Sequence, residues 1–236
     1  MARGKSLKAV ILAAGTGSRL GMSAPKSLAV LINGKAIFDY QIEKISKFIP
    51  INCIYVVVGY KKEMLMERHP ELPYVYNQAY SQTNTGKSLL KALNKVDNDD
   101  VLWLNGDVVF DEQLIPRLIM ANNSCVLVDN KKCGAEEVKY STDSQGYMKS
   151  ISKEVSPAEG EALGINLVKR KDLPILKKYL ALIDDQDYFE KAIQNMINQE
   201  HIRFLPVNVA GLFCHEVDFP GDLEYVRAYL LRNQCF

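Results

Sequence analysis

The sequence predicts an α/β fold, a single domain of three α/β/α layers in which a mixed sheet lies between helices. Short apolar runs rich in β-branched residues recur along the first half of the chain, and segments of helical period separate them. The runs span residues 8–13, 53–58, 101–104 and 125–128. Strands buried on both faces of a parallel sheet are continuous apolar runs of this kind. Strands alternating with helices are the pattern of α/β proteins.

The segments between these runs are predicted to be helices. They span residues 36–48, 61–68, 86–95 and 112–121. In the first, Ile37, Tyr40 and Ile45 recur near a period of 3.6, whereas Glu43 and Lys44 occupy the opposite side. That pattern is typical of an amphipathic helix packed on a sheet.

The second half of the chain predicts a small antiparallel β elaboration on the same sheet. Residues 137–140, 147–151 and 163–168 alternate as strands between turn-forming segments. Helices are expected over residues 171–182 and 188–198, then a strand over 207–216 and a closing helix over 221–232. No linker or repeat separates the halves, so residues 1–236 are predicted to form one domain.

Composition excludes several function classes. The chain has 236 residues, 47% hydrophobic and 24% charged, with a formal net charge of +1. A near-neutral chain without long basic runs predicts no nucleic-acid or membrane-surface partner. Its most apolar uncharged stretch, Phe48 to Tyr60, has 13 residues, fewer than the roughly 18 of a membrane span.

The first residues and the cysteines indicate in which cellular compartment the protein is expected. Arg3, Lys5 and Lys8 precede a short apolar run, superficially as in a signal peptide, but the run is too short and is interpreted as a buried first strand. Five cysteines is an odd number, and several lie in apolar runs typical of reduced core thiols. We therefore expect a cytoplasmic protein.

A glycine-rich turn directly after the first strand is the densest candidate site. It contains Leu12, Ala13, Ala14, Gly15, Thr16, Gly17, Ser18 and Arg19, and Pro25 and Lys26 follow. Small residues let backbone N–H groups approach a polyphosphate closely, and Arg19 and Lys26 add two cations. The turn therefore predicts a nucleoside triphosphate as ligand.

Two other phosphate-binding motifs fit less well. Dinucleotide binding requires G-x-G-x-x-G, but the third glycine, Gly21, comes one residue late. Residues 81–88 end as a P-loop does, yet Ser81 replaces its first glycine. A helix start capped by Asn84 or Thr85 explains that segment as well.

The turn matches the pattern L-A-A-G-x-G-x-R-x5-P-K and resembles the signature loop of nucleotidyltransferases with the sugar-nucleotide pyrophosphorylase and cytidylyltransferase fold. Further matches follow in the order seen in phosphocholine-cytidylyltransferase-like members: Thr83-Asn84, Ser88-Leu89, Leu104 to Asp107, and Glu216 to Leu223. The resemblance implies a Rossmann-like nucleotidyltransferase fold. Two branches fit less well: molybdopterin-guanylyl transferases usually show Ala-Gly-Gly, and methylerythritol-phosphate cytidylyltransferases carry a second, Thr-rich motif.

Two aspartates are candidate metal ligands. Asp107 follows an apolar strand, which places it at the carboxyl edge of the sheet where open α/β folds bind ligands. Asp218 precedes the closing helix, and the resemblance implies that both aspartates share one Mg²⁺ with the nucleotide phosphates. Mg²⁺ commonly takes only one or two protein carboxylates and completes its shell with phosphate and water oxygens.

The reaction that the resemblance implies is attack by a phosphate or phosphonate oxygen on the α-phosphorus of a nucleoside triphosphate, with release of pyrophosphate. Arg19 suits the leaving pyrophosphate and Lys26 the α-phosphate, so both are predicted to be catalytic. Thr85, Gly86 and Ser88 are expected to face the base and ribose, because a helix start of small residues lets a pyrimidine lie flat. CTP is therefore the expected nucleotide, bound by residues 1–130.

Residues 131–236 are expected to bind the acceptor, with Lys153, Glu161 and Tyr140 as candidate contacts. A phosphocholine-like acceptor is expected because the turn is short and because tyrosines can surround a quaternary ammonium. The tyrosines in question are Tyr80, Tyr140, Tyr147 and Tyr188.

Two alternatives remain open. One is a UTP-dependent sugar-1-phosphate uridylyltransferase. The other is a non-catalytic nucleotide-binding regulator, which would need Gly15 to Arg19 but not both Asp107 and Asp218. The oligomeric state cannot be predicted.

Overall fold

The computed structural model describes residues 7–233 and alternates strands with helices along most of that length. The strands are β1 Leu7–Ala13, β2 Ile54–Val58, β3 Tyr74–Tyr76, β4 Asp100–Asn105, β5 Val108–Phe110, β6 Cys125–Asp129, β7 Lys139–Thr142, β8 Met148–Ser152, β9 Gly160–Val168, β10 Leu205–Asn208 and β11 Cys214–Glu216. The helices are α1 Ile37–Ser46, α2 Lys62–Arg68, α3 Thr85–Leu93, α4 Leu114–Met120, α5 Leu173–Leu182, α6 Phe189–Glu200 and α7 Pro220–Asn233. The predicted α/β class is confirmed.

A mixed sheet forms the centre of the molecule. Its strand order is β10-β6-β9-β4-β1-β2-β3, and β7 and β8 extend it through pairing of β7 with β9. Strand β9 is antiparallel to both β4 and β6, whereas β1 is parallel to β2 and β4. Strands β5 and β11 form a separate antiparallel ribbon. The carboxyl ends of β1 and β4 therefore lie side by side, as the position predicted for Asp107 requires.

Helices cover both faces of the sheet, which confirms the three-layer prediction. Alternate residues of β1 point to opposite faces: Val10 and Leu12 pack with α3, α5 and α6, whereas Ala9, Ile11 and Ala13 pack with α1, α2 and α4. Helix α7 packs in a third, smaller core against the β5–β11 ribbon.

The predicted final strand over residues 207–216 is wrong, because the segment forms two strands in different sheets. Ala210 and Gly211 have φ angles of +49° and +82°, and the Asn208 Oδ1 accepts a hydrogen bond from the Ala210 N–H at 2.7 Å. This left-handed turn ends β10 before the chain enters β11. The three-residue strands β3 and β5 were not predicted, since neither is long enough to show alternation.

The first strand is confirmed: residues 9–13 of β1 are buried, while Arg3 and Lys5 lie outside the described residues. The described cysteines, Cys53, Cys125, Cys133 and Cys214, are free thiols. Among residues 7–233, no helix has both the length and the apolar character to cross a membrane. The cytoplasmic location stays a prediction.

Candidate active site

The glycine-rich turn leaves the carboxyl end of β1 and folds back on itself. Gly17 adopts φ +67°, and a Cβ placed there would lie 2.9 Å from the Lys26 Cβ. A side chain at residue 17 would therefore push Lys26 away, both by contact and by the strain of a left-handed backbone. The absence of a side chain at Gly17 lets the end of the turn carry Lys26 back beside β1.

Asp107 lies in a tight turn between β4 and β5 that is held from two sides. The Gly106 N–H donates to the Leu12 carbonyl at 2.9 Å, which ties the turn to β1. The fully buried Gln41 side chain of α1 donates from Nε2 to the carbonyls of Asn105 and Val108 at 2.9 and 2.8 Å. Buried polar groups of a turn need such partners, so Gln41 fixes the direction in which Asp107 leaves the sheet.

Asp218 reaches the same place from the far end of the chain. The Val217 N–H donates to the Asp107 carbonyl at 3.0 Å, continuing the pairing of the β5–β11 ribbon. The Asp222 Oδ2 accepts from the N–H groups of Asp218 and Phe219 at 2.9 and 2.7 Å and so caps the start of α7. The ribbon and the cap together place Asp218 next to Asp107.

One ammonium joins the two aspartates. The Lys26 Nζ lies 2.6 Å from the Asp107 Oδ2 and 2.5 Å from the Asp218 Oδ1. Arg19, more exposed, contributes its Nη2 at 2.9 Å from the same Asp218 oxygen and lies 5.5 Å from the centre of the Phe219 ring. Burial alone would lower the pKa of Lys26, but the two carboxylates outweigh burial and raise that pKa above its ordinary value. Lys26 is therefore a fixed cation at neutral pH.

This cluster faces a cleft of about 430 Å³. The residues of the first half that line it include Leu12, Gly15, Arg19, Asn84, Thr85, Asn105 and Asp107; those of the second half include Lys131, Glu136, Glu137, Lys153, Glu161, Tyr188, Glu190, Glu216 and Asp218. The cleft is thus lined by the cluster of cations and aspartates and by a second, mostly acidic group of side chains, on Lys131, Glu136, Glu137, Lys153, Glu161 and Glu190. Such an arrangement is suited to binding a polyanion beside a second charged molecule.

Comparison with known families decides the class of the protein. A family model described as the MobA-like NTP transferase domain matches residues 9–181, which include the glycine-rich turn, Lys26 and Asp107. The chain belongs to the MobA-like NTP transferase family. The predicted class of enzyme, a nucleotidyltransferase, is thereby confirmed.

Curated relatives and solved structures agree with that class. The bifunctional protein GlmU of Methanococcus maripaludis strain C5 is 35% identical over 236 residues, covering 96% of this chain and 55% of the relative. This transferase thus spans about half the length of the GlmU relatives it matches. The CTP:phosphoglutamine cytidylyltransferase of Campylobacter jejuni is 26% identical over 253 residues, covering 92% of this chain and 98% of the relative.

Two solved structures share the fold. The CTP:phosphocholine cytidylyltransferase of Streptococcus pneumoniae superposes with a TM-score of 0.75 at 20% identity and covers 95% of this chain and 99% of its own. The inositol-1-phosphate CTP transferase of T. maritima gives a TM-score of 0.77 at 15% identity and covers 96% of each chain. At these identities the likeness concerns the fold of the transferase, which is the Rossmann-like nucleotidyltransferase fold expected from the sequence.

Several residues expected at the site do not line the cleft of the transferase. Gly86 is buried against the loop before α6, where its N–H donates to the Asp187 carbonyl at 3.3 Å. The buried Ser88 hydroxyl accepts from the Asn77 Nδ2 at 3.0 Å. The buried Tyr140 hydroxyl donates to the Asn130 Oδ1 at 2.6 Å. These three residues therefore have packing roles. Of the residues predicted to face the base and ribose, Thr85 is the one that lines the cleft.

The remaining predicted residues divide between the cleft and its surroundings. Leu12, Gly15, Arg19, Asp107, Asp218, Lys153 and Glu161 line the cleft, whereas Ala13, Ala14, Thr16, Gly17, Ser18 and Lys26 shape the turn around it. The Lys153 Nζ is 3.2 Å from the Glu136 Oε2, and the Lys131 Nζ is 2.5 Å from the Glu161 Oε2. Both predicted acceptor contacts on this wall are therefore in ion pairs.

The sequence reasoning missed five carboxylates that line the cleft, on Glu136, Glu137, Glu190, Glu216 and Asp222. Glu216 receives a hydrogen bond from the Asn105 Nδ2 at 3.3 Å, and burial together with Asp107 and Asp218 holds its pKa well above the usual value. Glu216 belongs to the matched segment before Asp218, a signal that was available. Glu190 lies in the first turn of α6. It gives no comparable signal, because acidic residues are common in the first turn of a helix.

Asp107 and Asp218 fit a magnesium ion. Both present oxygen ligands to a single cationic position, now taken by the Lys26 ammonium, and the Asp107 Oδ1 is buried with no hydrogen-bond partner among the described residues. Within residues 7–233 no group of three or more His, Cys, Asp or Glu side chains forms a closed metal site. Two carboxylates with open positions suit Mg²⁺ that also binds phosphate oxygens.

Proposed function

We propose that this transferase moves CMP from CTP to a small phosphorylated or phosphonate acceptor and releases pyrophosphate. The observation that carries the proposal is the sharing of Lys26 between Asp107 and Asp218, with Arg19 on the same carboxylate. Four charged groups from three distant parts of the sequence meet at the carboxyl edge of the sheet. That edge is where open α/β folds bind nucleotides.

The chemistry requires no covalent intermediate with the enzyme. An acceptor oxygen forms a bond to the α-phosphorus of the nucleotide while the bond from that phosphorus to the pyrophosphate oxygen breaks. Both reactants are anions, so catalysis consists of holding them in line and neutralising the charge that moves to the leaving group.

The chain supplies that neutralisation from fixed positions. Lys26 suits the α-phosphoryl oxygens, and the more exposed Arg19 suits the leaving pyrophosphate. Asp107 and Asp218 would hold a divalent cation, whose charge screens the phosphates from each other when bound. Once phosphates enter, Lys26 exchanges a carboxylate partner for a phosphoryl oxygen, so its charge is available where the transition state needs it.

CTP is the nucleotide that the relatives support best. The C. jejuni relative and both superposed structures carry CTP in their names. Thr85 and Asn84 line the cleft at the start of α3, beside the glycine-rich turn. A short helix start without bulky side chains leaves room for a pyrimidine.

A sugar 1-phosphate, with UTP as donor, is the second candidate. Its support is the wall formed by Glu161 and Glu190, because carboxylates accept hydrogen bonds from sugar hydroxyls. A purely regulatory nucleotide binder has less support, because it needs no pair of aspartates around Lys26.

Pyrophosphate release tests the proposal. The protein is incubated with Mg²⁺, each of the four nucleoside triphosphates in turn, and a panel of phosphocholine, phosphoethanolamine, aminoethylphosphonate, glycerol phosphate and glucose 1-phosphate. The proposal expects release that needs an acceptor and is fastest with CTP. A preference for UTP with glucose 1-phosphate supports the second candidate instead, and release without any acceptor contradicts both.

A further inference from the structure

We propose that Glu190 is a specificity-determining residue of the transferase, whose buried carboxylate binds an acceptor ammonium that carries at least one N–H. The acceptor would then be the phosphate or phosphonate of a protonated amine rather than of a quaternary ammonium. This inference rests on the proposed function and names the class of its acceptor.

The position of the Glu190 carboxylate makes it available to a ligand. Glu190 is in the first turn of α6, is only 8% exposed and lines the cleft. Its Oε2 atom is buried and has no hydrogen-bond partner among the described residues. A buried acceptor without a donor is costly, and burial accordingly raises the pKa of Glu190 to about 7. A ligand that donates to Oε2 would remove that cost.

The charges around Glu190 favour a cationic donor. Among the cleft residues between positions 131 and 190 there are four carboxylates, on Glu136, Glu137, Glu161 and Glu190, and two ammonium groups, on Lys131 and Lys153. Lys131 is paired with Glu161 and Lys153 with Glu136, which leaves two carboxylates in excess. The acceptor phosphate has to reach the α-phosphorus of the nucleotide beside Lys26, so the charge pattern fits an acceptor that is anionic at that end and cationic at the other.

The four candidate tyrosines do not assemble into a cage for a quaternary ammonium. Of the four candidate tyrosines, Tyr188 is the one that lines the cleft within the described part of the chain. Tyr80 lies 6.4 Å from the Tyr60 ring, Tyr147 packs with Arg203, and Tyr140 is buried on Asn130. The predicted aromatic cage is therefore not assembled. A quaternary ammonium cannot donate to Oε2, whereas an N–H can form a charge-assisted hydrogen bond.

The test is a methylation series of one acceptor. Phosphoethanolamine, its N-methyl and N,N-dimethyl derivatives and phosphocholine differ by one methyl group at each step, and phosphocholine alone lacks an N–H. With CTP, we expect kcat/KM to change little over the first two steps and to fall at least about tenfold at the last, the scale of one charged hydrogen bond. Hydroxyethyl phosphate, in which a hydroxyl replaces the ammonium of phosphoethanolamine, should be used at least about tenfold less well.

Two variants separate the carboxylate from the size of the methyl groups. Glu190→Gln should lower kcat/KM for phosphoethanolamine and remove the fall in kcat/KM between the N,N-dimethyl derivative and phosphocholine. A fall caused by steric crowding of the third methyl group would persist in this variant. Glu200→Gln is the matched control, since it removes the same charge from the other, exposed end of α6. It should reproduce the series of the unmodified protein.

A binding measurement keeps this inference separable from the proposed function. Calorimetric titration of the four acceptors into the unmodified protein, with an unreactive CTP analogue, needs no turnover and no variant. If no acceptor is converted but the affinities still drop at phosphocholine, the proposed reaction fails and Glu190 keeps its role. If turnover is robust and the series is flat, or if phosphocholine is preferred, the inference about Glu190 is overturned.

Discussion

Gly17 and Lys26 approach so closely that a Cβ on Gly17 would lie 2.9 Å from the Lys26 Cβ and 3.0 Å from the Lys26 backbone nitrogen. The turn that was predicted to hold phosphates thus also positions the cation between Asp107 and Asp218. The left-handed backbone of Gly17 and the position of the Lys26 charge are therefore coupled.

Gly17→Ala should therefore lower kcat by at least about tenfold, because the new methyl group displaces Lys26 from its two carboxylates. Gly21→Ala is the control: Gly21 also has a positive φ, +65°, but a Cβ there meets nothing within 4 Å. Both variants bear the strain of a left-handed alanine, on the order of 1 kcal/mol. The difference in kcat between the two variants isolates the contact between residue 17 and Lys26. Equal losses of kcat would show that backbone strain alone accounts for the effect.

Arg19→Ala and Lys26→Ala should each lower kcat by at least about a hundredfold, the scale for losing one contact to transition-state charge. Lys35→Ala, which removes an exposed lysine paired with Glu43, should leave kcat unchanged. Lys26→Ala should also bind Mg²⁺ more tightly in the absence of nucleotide, measured by calorimetry, because the ammonium no longer competes for the carboxylates. A loss confined to the KM of the acceptor would move Lys26 from catalysis to acceptor binding.

Asp107→Asn and Asp218→Asn should abolish turnover that depends on Mg²⁺, while circular dichroism shows a folded protein. The physical reason is that an amide oxygen keeps the shape of the side chain but lacks the charge that holds the cation. Asp97→Asn, at an exposed position before the start of β4 and so at the opposite end of that strand from Asp107, serves as the control. Full activity of both variants would contradict the metal assignment.

The meeting of the glycine-rich turn with Asp107 was predictable from the sequence. A glycine-rich turn after a strand and an aspartate at the end of another are local signals, and parallel pairing of β1 with β4 brings them together. The sequence does not reveal that Lys26 joins Asp107 to Asp218, because that contact depends on the β5–β11 ribbon. Strands of three residues are too short to show a periodic pattern.

The contacts of Lys87 give the near-match to a P-loop a structural role. In the near-match to a P-loop this lysine would bind phosphate, but its Nζ donates to the carbonyls of Ile183, Ala181 and Leu180 at 2.6, 3.1 and 3.2 Å. It thereby caps the end of α5 and holds the loop that leads to Tyr188. Lys87→Met should lower the free energy of unfolding by on the order of 2 kcal/mol and raise the KM of the acceptor, with little change in nucleotide affinity. A large loss of CTP affinity at unchanged stability would restore the P-loop interpretation.

The acceptor side could be predicted much less well, for a physical reason. Its wall combines Lys153 just after β8, Glu161 in β9 and Glu190 in α6, and ordinary charged residues at such positions give no pattern of their own. Tyr140 shows the converse: it has the expected residue type, but its hydroxyl is used inside the protein. Which polar groups remain unpaired is visible only once the chain is folded.

The pKa of Glu190 predicts a dependence of stability on pH. Because its pKa is about 7 in the folded protein and about 4.5 when exposed, folding favours the protonated form. The stabilisation is fully present below pH 4.5 and is lost as the pH rises through 7. The free energy of unfolding, measured with urea, should fall between pH 5 and pH 8 by on the order of 3 kcal/mol more in the unmodified protein than in Glu190→Gln. Equal losses in the two proteins would contradict the assignment of that pKa.

The central claim is that an acceptor phosphate attacks the α-phosphorus of CTP. It is tested most directly by ³¹P NMR of a reaction containing the protein, Mg²⁺, CTP and phosphoethanolamine. The account predicts that pyrophosphate and a CDP-linked ester grow in equal amounts while the acceptor signal declines, and that neither product forms with Lys26→Ala over the same time. Formation of inorganic phosphate with CDP, or of CMP and pyrophosphate while the acceptor remains unchanged, would contradict it.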